Sequence, residues 1–205
     1  MYDHATKSLW STLTGTPVVG PLVGRGIELK PLHVVTTTWK EWQRRHPETL
    51  VLSRDTGHRR DYGEGVAYRD YFATDHLMFN VPRLDKRLPN KAEVLALRLP
   101  QVRGEALAVA ADFLASRPVY SDRIGDVAFV VLTDASGANR VYESKDIVFV
   151  SWDKVSAVRD SRGVVWKMDE AALTAPSRQT LGRLPAHRAF WFGWSAAYPT
   201  TRLVK

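Results

Sequence analysis

Three short stretches carry residues whose types could do chemistry. Asp55-Thr56-Gly57 spells the catalytic triplet of aspartic proteases. That chemistry needs two carboxylates sharing one proton, since like charges a few ångströms apart do not both ionise. No second triplet exists: Asp134-Ala135-Ser136-Gly137 and Asp160-Ser161-Arg162-Gly163 have the wrong spacing, and both read as turns. An aspartate that bonds nearby amides in a turn is the better account of Asp55. Arg59-Arg60-Asp61-Tyr62 and Asp85-Lys86-Arg87 mix charge signs in loop-like sequence. A guanidinium fork there could take a carboxylate or phosphate, or tie two loops together. The candidate ligand-binding residues are therefore Asp55, Arg59, Arg60, Asp61, Tyr62, Asp85 and Arg87.

Other chemistries lack their parts. The histidines at 4, 33, 46, 58, 76 and 187 never stand at the spacing that puts two ligands on one helix face, so no metal site is expected. No Gly-x-Ser-x-Gly elbow supports a nucleophilic serine. The glycines from Gly20 to Gly26 lack the Gly-Lys-Ser/Thr ending of a phosphate loop, and mark turns instead. There is no cysteine, which excludes disulfides and thiol chemistry in this chain. No residue pattern names a cofactor or a reaction.

The elements that must position these loops are short. The 205 residues are 44% hydrophobic, enough for one large or two small domains. Strands are expected at Val18-Val19, Leu22-Val23, 33–37, 50–52, 94–97, 127–132, 140–143, 147–152 and 164–166. Residues 106–116 fit a helix or a strand, and 170–173 one helical turn. Pro82 and Pro89 break the chain into extended pieces. The class is α+β and sheet-rich, with about ten short, mainly antiparallel strands and three or four short helices.

The most distinctive pattern is a repeat. Trp39, Trp42, Pro47 and Thr49 recur at one common offset as Trp191, Trp194, Pro199 and Thr201. Thr38 and Glu41 make a capping box that opens a helix, and Pro47 ends it near His46. The second copy has Phe190 and Gly193 at those two positions. Its indole spacing survives without the helix-start signal, which points to packing. Trp39, Trp42, Trp191 and Trp194, with Trp10 and Trp166, are thus expected as structural, core residues. Two related Trp-x-x-Trp units are expected, 1–100 and 101–205, within two units or one continuous domain.

Net charge is +7, with 15 Lys/Arg against 11 Asp/Glu in residues 1–100 and 14 against 11 in 101–205. Charge so evenly spread argues against a nucleic-acid stripe. No apolar window is long enough for a membrane span, and MYDHATKSLW has no signal-peptide pattern.

MYDHATKSLWSTLTG, GPLVG, TWKEWQRRHPETLVLS, DTGHRRDY and DKRLPNK, in that order, with the C-terminal WKMDEAAL and LGRLPAHRAFWFGWSAAYPTTRL, closely resemble a bacterial family labelled domain of unknown function 3179. The resemblance covers nearly the whole chain. It implies that the segment like MYDHATKSLW is internal in relatives, after a strand-rich region with a Cys-Pro-x-Cys motif. The chain then corresponds to the family's C-terminal part, cytoplasmic as it stands and exported if the true start lies upstream. The missing strands would leave apolar surface uncovered. Three readings follow: a binding or structural module for a small anionic ligand or a protein; part of an enzyme or metal/redox family whose cysteine region is absent; or a weak nucleic-acid binder.

Overall fold

Glu93–Leu97 (β4) and Leu107–Ala110 (β5) are the centre of the structure. Their sequences, EVLAL and LAVA, are apolar on both faces, as strands buried from two sides must be. The computed structural model describes every residue except Phe79, Pro82 and Arg103. The break expected at Pro82 lies outside the described residues. β4 and β5 form an antiparallel pair, with Leu95 opposite Val109. Ala186–Phe190 (β14) pairs antiparallel with β4, and Arg202–Val204 (β15) pairs parallel with β5. The sheet order is β14-β4-β5-β15. β4 therefore pairs with strands from the other side of the expected boundary at residue 100.

Successive strand residues point to opposite faces. Val94, Ala96 and Ala108 meet Trp191 and Trp194 of helix α4, Trp191–Ala197. Leu95, Leu97, Leu107 and Val109 face the other way, onto Phe129, Val131 and Val141. Those belong to a three-stranded antiparallel sheet of Val119–Ile124 (β6), Val127–Thr133 (β7) and Asn139–Glu143 (β8). Its outer face, Val130, Leu132 and Tyr142, packs on a third sheet. That sheet contains Phe149–Trp152 (β9), Ala157–Asp160 (β10), Val165–Met168 (β11), Ala172–Thr174 (β12) and Thr180–Gly182 (β13). Helix α3, Ala111–Ser116, follows β5 directly, so residues 106–116 hold both a strand and a helix.

The N-terminal stretch is built differently. Tyr2–Asp3 (β1), Ser8–Trp10 (β2) and Pro17–Val19 (β3) make a small sheet, with Ser8 and Trp10 buried. From Ser11 to Glu93 no described residue is buried. Among the described residues, the helices there are Trp39–Arg45 (α1), a 3₁₀ turn at Val66–Tyr68 and Arg69–Ala73 (α2).

Several expectations are corrected. Trp39 and Trp42 are 51% and 41% exposed, so they are not core, whereas Trp191 and Trp194 are fully buried. The reason is tertiary: among the described residues nothing equivalent to β4 and β5 lies over α1. Leu50 and Leu52, each 95% exposed, form no strand because no ladder partner lies beside them among the described residues. Residues 33–37 form no strand; Val34 donates its amide to the Ala186 carbonyl at 3.1 Å. Leu22-Val23 is a turn. Residues 170–173 are not helical; Ala172 starts β12, and Asp169 accepts the amides of Ala171 and Ala172. The capping box is half formed. The Glu41 amide donates to Thr38 Oγ1 at 3.3 Å, but its carboxylate turns to Arg44 and Arg45. Those hydrogen bonds, Arg44's first, hold the Glu41 carboxyl down at about 2.

Candidate functional site

The two charged loops fall in different settings. Residues 55–62 are exposed coil in which Thr56 Oγ1 and Tyr62 Oη lie 2.9 Å apart, and Asp61 accepts the Gly63 amide at 2.8 Å. Arg59 and Arg60 make no ion pair among the described residues. Residues 85–87 instead wrap α4. Arg87 pairs with Asp85 at 2.7 Å, donates to the Thr201 carbonyl at 3.1 Å, and lies over the Trp191 ring. Trp191 Nε1 donates to the Asp85 carbonyl at 2.8 Å. The hydrogen bonds from Arg87 are what lower the Asp85 carboxyl. No hydrogen bond joins the two loops among the described residues.

Sequence reading missed a second constellation, an arginine–carboxylate clasp. β7 and β8 are joined by the turn at Asp134, whose carboxylate accepts Ser136 Oγ at 2.6 Å and the Ala138 amide at 3.1 Å. Arg140, almost wholly buried on β8, reaches Asp134 at 3.0 Å and Glu170 at 2.8 Å. Arg183 meets the other oxygen of Glu170 at 2.8 Å. Arg45 of α1 approaches the same acids, at 3.5 Å from Glu170 and 3.7 Å from Asp134. Thr37 Oγ1 lies 3.1 Å from Ser136 Oγ. The clasp thus fastens the entry and the last turn of α1 to the β7–β8 turn. The signal in the sequence was Arg140 itself, on a buried strand where a charge demands a partner.

The third feature is an apolar pocket of about 320 Å³ between the N-terminal loops, β4, β14 and α4. Leu13, Ala96 and Trp194 line it, with His187 in the wall and Arg98 also part of the lining. The His187 ring meets Trp194 edge-on, with centroids 5.8 Å apart. Burial lowers its pKa from the usual histidine value, which favours the neutral imidazole. Within the chain, its signal was faint: a histidine at one position of the strand AHRAF.

No group of three or more His, Asp or Glu suited to a metal ion occurs among the described residues. No helix among them is long and apolar enough to cross a membrane. No curated protein and no solved structure matches the chain. The model of one family, described as proteins of unknown function (DUF3179), matches residues 1–201. The order of motifs, the tryptophan-bearing ends and that match agree, and the chain belongs to the DUF3179 family.

Proposed function

We propose that the chain is a binding module whose α1 region docks another polypeptide. The reading treats the two Trp-x-x-Trp segments as copies of one unit, and their local geometry supports it. Thr38 and Phe190 precede their helices with φ/ψ of −75°/151° and −76°/142°. His46 and Tyr198 end them at −133°/67° and −131°/76°. Trp42 Nε1 donates to Thr49 Oγ1 at 2.9 Å, and Trp194 Nε1 to Thr201 Oγ1 at 2.9 Å. The His46 ring packs on Trp42 as Tyr198 packs on Trp194, at 4.1 and 4.3 Å.

The observation that carries the proposal is the difference in cover. Around α4 the unit is complete: β4 and β5 seat Val94, Ala96 and Ala108 on the indoles, and β15 joins β5. Around α1 the same indoles are bare, and Leu50-Val51-Leu52 stands where β15 stands in the other copy. The complementary partner is an antiparallel strand pair with valine and alanine on one face. It would cover Trp39 and Trp42 and give residues 50–52 a ladder. Ordering so long a stretch without buried side chains has little to offset its entropy cost, which favours a covered state.

A synthetic peptide of residues 92–110 is the natural probe. Hydrogen exchange across residues 39–52 should slow as that peptide is added, while exchange in β7 and β8 stays constant. Unchanged exchange at millimolar peptide would remove the proposal. Protection that follows chain concentration alone would make a second copy the occupant instead.

A further inference from the structure

A second cavity of about 620 Å³ adjoins the His187 pocket, the two sharing Leu29, Lys30, Pro31 and Arg98 in their walls. We propose that this double cavity binds a small organic carboxylate with an aromatic or branched aliphatic body. The apolar chamber supplies the body's seat. Trp194, fully buried, backs the chamber with its side-chain N–H already given to Thr201, so it presents no polar group there. Leu13, Leu29 and Leu32 supply the accessible aliphatic surface. The wall is held in shape by Gly15, at φ +70°, whose carbonyl accepts the Leu29 amide at 2.9 Å. A Cβ at that position would lie 3.2 Å from the Leu29 carbonyl oxygen.

Charge sets the ligand's sign. Two cations, Lys30 and Arg98, stand at the junction of the chambers against one acid, Glu28. Both terminal nitrogens of Arg98 converge on a single oxygen of Glu28, and Arg98 Nε carries no hydrogen bond among the described residues. Glu28 is a half-exposed side chain and can leave for solvent. An incoming carboxylate would then take the guanidinium fork in two parallel hydrogen bonds, a geometry stronger than the present one. Lys30 makes no ion pair among the described residues and adds a second charge at the rim. Inside, the ring nitrogens of His187 have no hydrogen-bond partner among the described residues. The neutral imidazole can therefore donate to a ligand oxygen. An apolar seat with a few convergent polar groups is the common form of a small-molecule site.

Phenylacetate, with uncharged phenylacetamide and cationic phenethylamine as controls, tests this on the intact chain. Calorimetry should give phenylacetate a Kd below about 1 mM, and the side-chain NMR signals of His187 and Trp194 should shift on binding. Arg98→Gln should weaken binding at least about tenfold, the loss expected for a bidentate carboxylate contact. Lys30→Gln, at an exposed position that folding does not depend on, should weaken it about threefold, as for a single solvent-exposed charge. Equal affinity for phenylacetamide would overturn the proposal. So would absence of shifts at His187 and Trp194 in millimolar phenylacetate, or unchanged affinity in both variants.

Discussion

Trp194→Ala should destabilise the fold by about 3–5 kcal/mol, while Trp42→Ala should cost less than about 1 kcal/mol. The two indoles make the same hydrogen bond to a threonine seven residues on, and stack on the ring four residues on. The local interactions therefore cancel in the comparison, and burial alone separates the variants. Removing Trp194 empties a site walled by Val94, Ala96 and Ala108. Removing Trp42 takes away a side chain already 41% in water. Urea denaturation of both variants measures the difference. Equal costs would mean that Trp42 is covered in solution, for example by a second copy of the chain.

The second large effect is expected at Arg140. Its guanidinium and the Asp134 carboxylate are both almost wholly buried and 3.0 Å apart. Arg140→Ala strands that carboxylate and should cost about 3–5 kcal/mol. The double change Arg140→Met with Asp134→Ala removes both charges and should recover much of the loss, because apolar replacements of buried pairs are often neutral. Acid should act through the same group. Burial pushes the Asp134 carboxyl up, but the Ser136 hydroxyl and amide, Arg140 and the Ala138 amide more than reverse it, leaving it below 3.8. A lowered folded-state pKa means the stabilisation is whole above the unfolded value. It is lost as pH falls through the folded one. The melting temperature should hold from neutral pH to about 5 and fall below about 4. The double variant should show a shallower fall in the same scan.

Strands bounded by good turns were readable from residues alone. Val127–Thr133 and Asn139–Glu143 flank Asp134 to Gly137, and the turn sets them as a hairpin with Phe129 opposite Glu143. Where the outcome depended on a distant partner, local pattern misled. Leu50-Val51-Leu52 has strong strand preference, yet a strand exists only where another chain segment completes its ladder. Glu170 to Leu173 has helix-forming composition, but β11 and β13 recruit Ala172 and Leu173 into a sheet. The Trp-x-x-Trp spacing correctly located two short helices. It carried no information about cover, because burial of α4 is decided by β4 and β5, far away in the chain. The pocket that His187 and Arg98 share escaped notice for the same reason. Neither stands in a catalytic or ligand-binding pattern, and only the pairing of β14 with β4 brings their neighbourhoods together.

The pairing of β4 with β14 also sets an order of events during synthesis. β4 begins at Glu93, but its partner in register, Phe190, comes nearly a hundred residues later. Helix α4 and β15, which close one face and the far edge of the same sheet, are later still. On the ribosome, Val94 and Ala96 must wait uncovered until almost the whole chain has emerged, while the local β6–β8 and β9–β13 sheets can already form. Pairing over such separations is slow to nucleate and leaves apolar strands open to misassembly in the interval. The cell's chaperones would therefore meet this protein chiefly through its central strands.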